Sequence, residues 1–187
     1  MGNKNLRIKR NDSLLVAIDY QEKLMPVMDE VERLRDKVSR LTRGIGVLNI
    51  PSIATEQYPK GLGRTENFEE FEKNLGGVTI VEKDSFSAFG APDFEEIVKA
   101  TSKKTILLCG IETHICVQQT ALDFLEREYR VLLIADCCSS RSAEDKSIAL
   151  SRMQQAGVEL VTVESLLFEM IEGNKDPEFK DISRIIK

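Results

Sequence analysis

Short runs of branched apolar residues alternate along the chain with longer segments in which apolar positions recur every three or four residues. Residues 14–18, LLVAI, form an unbroken apolar run that reads as a strand buried on both faces. Val31, Leu34, Val38, Leu41, Ile45 and Leu48 follow in steps of 3, 4, 3, 4 and 3, which places one apolar stripe along a long helix. Gly44 and Gly46 would weaken that helix as a free-standing coiled coil, so the stripe predicts a helix facing a core. Residues 51–55 read as a second strand with Pro51 confined to its start. The same patterns predict strands over 78–81, 105–109, 131–135 and 158–161, and helices over 68–75, 92–100, 115–127, 143–156 and 164–171. Residues 56–67 are polar and rich in Gly and Pro, so they predict a loop; Gly61-Leu62-Gly63 lacks the spacing of a nucleotide-binding turn. Gly173-Asn174 and Asp176-Pro177 interrupt the pattern, which leaves 172–187 as a tail that packs on the domain or reaches a partner subunit. Strand alternating with helix about six times predicts a three-layer α/β/α fold, Rossmann-like, with a central, mostly parallel sheet of about six strands. One domain spans 1–187, its core over about 14–171. Ligands of such sheets meet the carboxyl ends of the strands.

Composition narrows the chemistry. A chain of 187 residues, 42% of them hydrophobic, is long enough to bury about 70% of its unfolded surface without disulfides or a structural metal. Its 26 basic and 31 acidic residues give a net charge of -5, which argues against a broad phosphate-binding footprint and hence against a nucleic-acid partner. Asp19 cuts off the first apolar run too early for a secretory signal or a membrane span, so the reading is a free N-terminal arm, no membrane partner and a cytoplasmic location. Cys109, Cys116, Cys137 and Cys138 have no zinc spacing and no CxxC pattern, which predicts reduced, unbridged thiols. The single histidine, His114, removes every multi-histidine metal centre and weakens any Ser-His-Asp scheme. The sequence therefore predicts no metal and no cofactor.

Three residues with chemical potential follow three predicted strands: Asp19 after the first, Lys83 after the third and Cys116 after the fourth. Each alone has a plain structural explanation, as a turn cap, a surface lysine and a small buried hydrophobe. Together at one sheet edge they make a site that needs no histidine. A helix start and a lysine ammonium both favour a thiolate, and an adjacent aspartate can take a thiol proton and return it to a leaving nitrogen.

The segments AIDYQEKLMPVM, TEQYPKGLG, VEKDSFSAF, LCGIETHICVQQTALDFLEREYRVLLIADCCSSR and GVELVTVESLLFEM resemble the isochorismatase-like cysteine hydrolases. Within them the likeness is to the subgroup of isochorismatase-domain-containing proteins, over about residues 14–171. The resemblance implies an isochorismatase-like hydrolase fold and an Asp19–Lys83–Cys116 catalytic triad. It also implies a cis peptide at Ile111-Glu112 and an oxyanion hole formed by the amides of Glu112 and Cys116. The activity it implies is cleavage of a C–N bond in a small amide or related carbonyl compound through a thioester. The rival readings are isochorismatase-type vinyl-ether hydrolysis by Asp19 and Lys83, and a noncatalytic metabolite-binding oligomer. Where related nicotinamidases carry an Asp-x-His metal pair this chain has Glu56-Gln57-Tyr58, which disfavours nicotinamide. Gln21, Tyr58, Phe86 and Phe89 are expected to line the substrate pocket, and His114 to pack or hydrogen-bond within the nucleophile turn. A homodimer or larger homo-oligomer is the expected assembly.

Overall fold

The computed structural model describes residues 6–187. Six parallel strands form one sheet in the order β3-β2-β1-β4-β5-β6. They are β1 Ser13–Ile18, β2 Ser52–Gln57, β3 Thr79–Lys83, β4 Thr105–Ile111, β5 Arg130–Ser139 and β6 Glu159–Val161. Helices α1 Val31–Val47, α2 Pro59–Leu62, α3 Phe68–Leu75, α4 Phe94–Ala100, α5 Gln118–Glu126, α6 Ala143–Ala156, α7 Val163–Met170 and α8 Phe179–Ile186 flank it. The three-layer α/β/α architecture predicted from the sequence is present, and the sheet is parallel throughout. Every residue of β1 and β4 is buried, which is why both read as unbroken apolar runs rather than alternating ones.

The chain builds β1 to β3 towards one edge and then returns to lay β4 to β6 on the other side of β1. The direction of winding therefore reverses between β1 and β4, and in such sheets ligands bind at that reversal, at the carboxyl ends of the strands. Asp19 leaves β1 and the turn bearing Cys116 leaves β4, so both flank that point.

The apolar stripe of α1 buries Leu34, Leu41 and Ile45, as its period requires. Gly46 permits the approach of α1 to α3, since a Cβ there would lie 1.9 Å from the carbonyl oxygen of Asn74. Gly110, at φ 138°, lets β4 lie against β1, since a Cβ would come within 2.3 Å of the Ile18 carbonyl oxygen. Both glycines are there for close approach of backbones.

The expected packing of the tail on the domain is seen as a helix: beyond Pro177 the chain forms α8, which buries Ile182 and Ile185 and whose Ile186 carbonyl accepts from the Arg40 guanidinium. Other expectations change, and within the loop expected over 56–67 the chain forms the short helix α2. The predicted free arm is anchored at residues 6–8, although most of its side chains stay exposed. Ile8 is buried and its N–H donates to Glu169 Oε1 at 2.9 Å, while Arg130 donates to the Leu6 and Arg7 carbonyls. Residues 1–5 of that arm lie outside the described residues. The fifth strand runs on to Ser139, because its register against β4 slips. Leu108 pairs with Leu133, yet Gly110 pairs with Cys138, so β5 carries extra residues in a bulge. Cys137 and Cys138 thus lie within the strand, buried and unbridged. Among the described residues no helix is long and apolar enough to cross a membrane.

Candidate active site

Asp19 sits one residue past β1 in the left-handed region, φ 53°, a conformation that aspartate tolerates better than most residues. Its backbone stays tied to the neighbouring segments: its N–H donates to the Thr55 carbonyl at 3.2 Å and its carbonyl accepts from Gln21 at 2.7 Å. One carboxylate oxygen accepts from Thr55 Oγ1 at 2.6 Å and the other from Lys83 Nζ at 2.7 Å. Both side chains of the Asp19–Lys83 pair are completely buried. Lys83 Nζ is also 2.7 Å from Gln57 Oε1 and 3.1 Å from the carbonyls of Ser85 and Phe86. An ammonium has three N–H donors, so these acceptors use its whole capacity. The parallel register explains the convergence, because Ile18 faces Thr55 and Gln57 faces Lys83.

Cys116 lies in a π-helical turn, Thr113–Val117, that precedes α5. The bond before that turn, Ile111-Glu112, is cis, at the position implied by the sequence resemblance. The thiol is 7% exposed. Burial pushes its pKa up to about 12, with the Asp19 carboxylate adding to the rise and Lys83 opposing it. The expectation of a favoured thiolate is therefore corrected for the resting site. Asp19 already neutralises the lysine, and the cysteine is buried in the turn ahead of α5 rather than exposed at a helix start. The arrangement stores the proton on sulfur beside a carboxylate that can accept it.

The other three thiols are also held neutral. Burial raises Cys138 to about 12 and pushes Cys109, Cys137 and the Tyr20 hydroxyl up as well. A group whose folded pKa exceeds its unfolded value stabilises the fold below the unfolded value and loses that contribution as pH rises towards the folded one. Stability is expected to hold up to the ordinary thiol value near 9 and then fall through the window up to about 12. The slope should reach ~1.4 kcal/mol per pH unit for each group. Urea unfolding across that window tests this, and a flat midpoint would contradict it.

Of the expected pocket residues, Tyr58 and Phe86 are 54% and 55% exposed beside Gln57 and the Lys83 ammonium. Gln21 is a correction. Its side chain is fully buried, with Oε1 accepting from Gln57 N–H at 2.7 Å and Nε2 donating to the carbonyls of Gln57 and Gly63 at 3.0 and 2.6 Å. It fastens the loop after β2 and offers nothing to a ligand. Phe89 is a second correction, since it stacks edge-on with Phe94 and Phe124 and lies under the Arg127 guanidinium. It is half-buried and packs against the core. His114 hydrogen-bonds through Nδ1 to Ser140 Oγ at 2.9 Å. Thr55 and Gln57 were missed by residue type alone, although their place at the carboxyl end of β2 was a usable signal. A cavity of about 580 Å³ opens at the opposite edge of the sheet, lined in part by Lys104, Tyr129, Arg130 and Glu159. Its volume does not make it the site: Arg130 pairs with Glu159, Lys104 lies over the Tyr129 ring, and it holds neither Asp19 nor Cys116.

A family model described as the isochorismatase domain matches residues 13–165. Isochorismatase domain-containing protein 2A of Mus musculus is 38% identical over 181 residues, covering 97% of this chain and 85% of that protein. Among solved structures, the MAR1 ribonuclease from Caenorhabditis elegans superposes with a TM-score of 0.89 at 36% identity, covering 96% of this chain and 92% of that one. The octameric hydrolase YcaC from Escherichia coli superposes with a TM-score of 0.88 at 22% identity, covering 98% and 96%, a likeness of fold.

Proposed function

On the premise that the chain belongs to the isochorismatase-domain family, we propose that it is a cysteine hydrolase cleaving a C–N bond of a small amide or related carbonyl compound. The observation that carries this reading is the fully buried Asp19–Lys83 pair beside the Cys116 thiol at the reversal of winding between β1 and β4. Asp19 takes the thiol proton as sulfur attacks the carbonyl carbon, and the negative charge moves to the carbonyl oxygen. The amides of Glu112 and Cys116 are the donors proposed for that oxygen, and each such donor contributes about 3 kcal/mol in comparable sites. Collapse breaks the C–N bond, Asp19 returns the proton to nitrogen, and ammonia or an amine leaves a thioester on Cys116. Water then attacks the thioester carbon, Asp19 removes its proton, and the thiol is restored as the acid departs. Lys83 holds the Asp19 carboxylate in place beside the thiol through its Nζ contact at 2.7 Å.

Isochorismatase-type vinyl-ether hydrolysis is less well supported, because it needs no thiol and its substrate is a dicarboxylate. Lys83 has no donor left for a carboxylate, because its three N–H groups are already shared among four acceptors. The ribonuclease name of the nematode relative describes that protein; the net charge of -5 gives this one little attraction for a polyphosphate chain. A homo-oligomer is proposed by analogy with the octameric neighbour. A cytoplasmic location accords with four free cysteines.

The test is a panel of small aliphatic and aromatic amides, isochorismate and single-stranded RNA, read as ammonia, pyruvate and strand cleavage. Ammonia release is the expected result. Pyruvate release that survives loss of the thiol, or RNA cleavage without ammonia release, would replace this reading.

A further inference from the structure

The nucleophile turn is fastened residue by residue to the end of β5. Thr113 Oγ1 donates to the Ser139 carbonyl at 2.9 Å, and His114 Nδ1 meets Ser140 Oγ at 2.9 Å. The Glu112 carboxylate accepts from the Arg141 N–H at 3.0 Å and from Arg141 Nε at 3.1 Å. Three consecutive residues before Cys116 thus meet three consecutive residues of another segment. Glu112, Thr113, Ser139 and Ser140 are all buried, where an unpartnered polar group is costly, so each bond constrains its neighbour.

The same stretch of β5 also grips the segment bearing Asp19. The Tyr20 hydroxyl donates to the Cys137 carbonyl, Ser139 Oγ donates to the Asp29 carbonyl at 2.8 Å, and the Asp29 N–H donates to the Ser140 carbonyl at 3.0 Å. The bulge in β5 falls in this region, between the pairs Leu108–Leu133 and Gly110–Cys138. We infer that residues 139–141 are a positioning element that sets the separation of Cys116 from Asp19, although they supply no reacting group. The role assigned to the two ends rests on the cysteine-hydrolase reading; the clamp itself is geometric.

The probe is iodoacetamide, followed by peptide mapping at Cys116 as a function of pH. The charged groups around the thiol are Asp19 and Lys83 from the strand ends; on its own turn, Glu112 is held by Arg141 and His114 by Ser140. Ser140→Ala and Arg141→Ala loosen the clamp, and Ser140→Thr and Arg141→Lys retain the hydroxyl and the charge. In the alanine variants the thiol should leave its buried place beside Asp19, and its alkylation near pH 8 should rise at least about tenfold as its titration moves towards the ordinary range. Hydrolysis of an amide turned over by the wild type should fall about 10²-fold in kcat with little change in KM. The conservative variants should stay close to wild type in both. An unchanged alkylation profile in both alanine variants, with only a lower melting temperature, would overturn the proposal and leave these residues a purely structural role. Full turnover by Cys116→Ala would instead remove the cysteine mechanism, and the alkylation result would still report on the clamp.

Discussion

Cys116→Ala should reduce kcat on any amide that the wild type hydrolyses by about 10³-fold or more, with the melting temperature close to wild type. Loss of the sulfur removes the only group in the site that can form the thioester. Asp19 and Lys83 remain paired, so no buried charge is exposed and the fold has little reason to weaken. The thiol is neutral at rest, which means that its removal also leaves the charge of the site unchanged. Steady-state kinetics with a parallel thermal melt checks both halves, and intact mass after rapid quenching should detect an acyl adduct in the wild type alone. A variant that keeps the wild-type rate would rule out covalent catalysis at this residue.

The second large effect concerns the buried ion pair. Lys83→Met leaves the Asp19 carboxylate buried with Thr55 as its remaining side-chain donor, and Asp19→Asn leaves an ammonium among neutral acceptors. Breaking a buried pair from one side costs about 3–5 kcal/mol, a large fraction of the ~5–15 kcal/mol that holds an ordinary domain together. Each single variant should therefore unfold at markedly lower urea, and each should lose turnover. The double variant Asp19→Asn/Lys83→Met should recover most of the stability and none of the activity, because neutralising both partners removes the charge penalty and the proton acceptor together. Additive losses of stability in the double variant would show that the two side chains do not act as a pair.

Much of this was legible in the sequence because the physics involved is local or periodic. The LLVAI run of β1 and the stripe from Val31 to Leu48 each specify an element and the face it buries. The order of strand ends brings Asp19, Lys83 and the Cys116 turn to one edge. What stayed hidden depends on partners far along the chain. Gln21 has the look of a polar handle until Gln57 and Gly63 are seen to occupy its amide. Phe89 has the look of a pocket wall until its ring is seen to pack edge-on against Phe94 and Phe124. The acidity of Cys116 depends first on burial of its turn and then on the Asp19 carboxylate, and the depth of burial is not written in the residue types. The apolar run of β5 stops at residue 135, whereas a bulge carries the strand on to Ser139. Helix α8 had a signal in Phe179, Ile182, Ile185 and Ile186, but the Gly and Pro residues ahead of it drew the boundary too soon.

The reversal of winding between β1 and β4 also governs how the molecule is made. Strand β1 lies at the middle of the sheet, yet one whole side of it, from Ser13 against Thr105 to Ile18 against Gly110, is supplied by the second half of the chain. During synthesis from the N-terminus, β1, β2 and β3 can associate while the hydrogen-bonding edge of β1 stays open. Pairings so distant in sequence form slowly, since the loop must close before any contact rewards it. An open strand edge of such apolar sequence also invites a second nascent chain. The reversal that brings Asp19 and the Cys116 turn together thus leaves β1 uncovered until β4 emerges, and correct folding depends on the two halves meeting before two copies do.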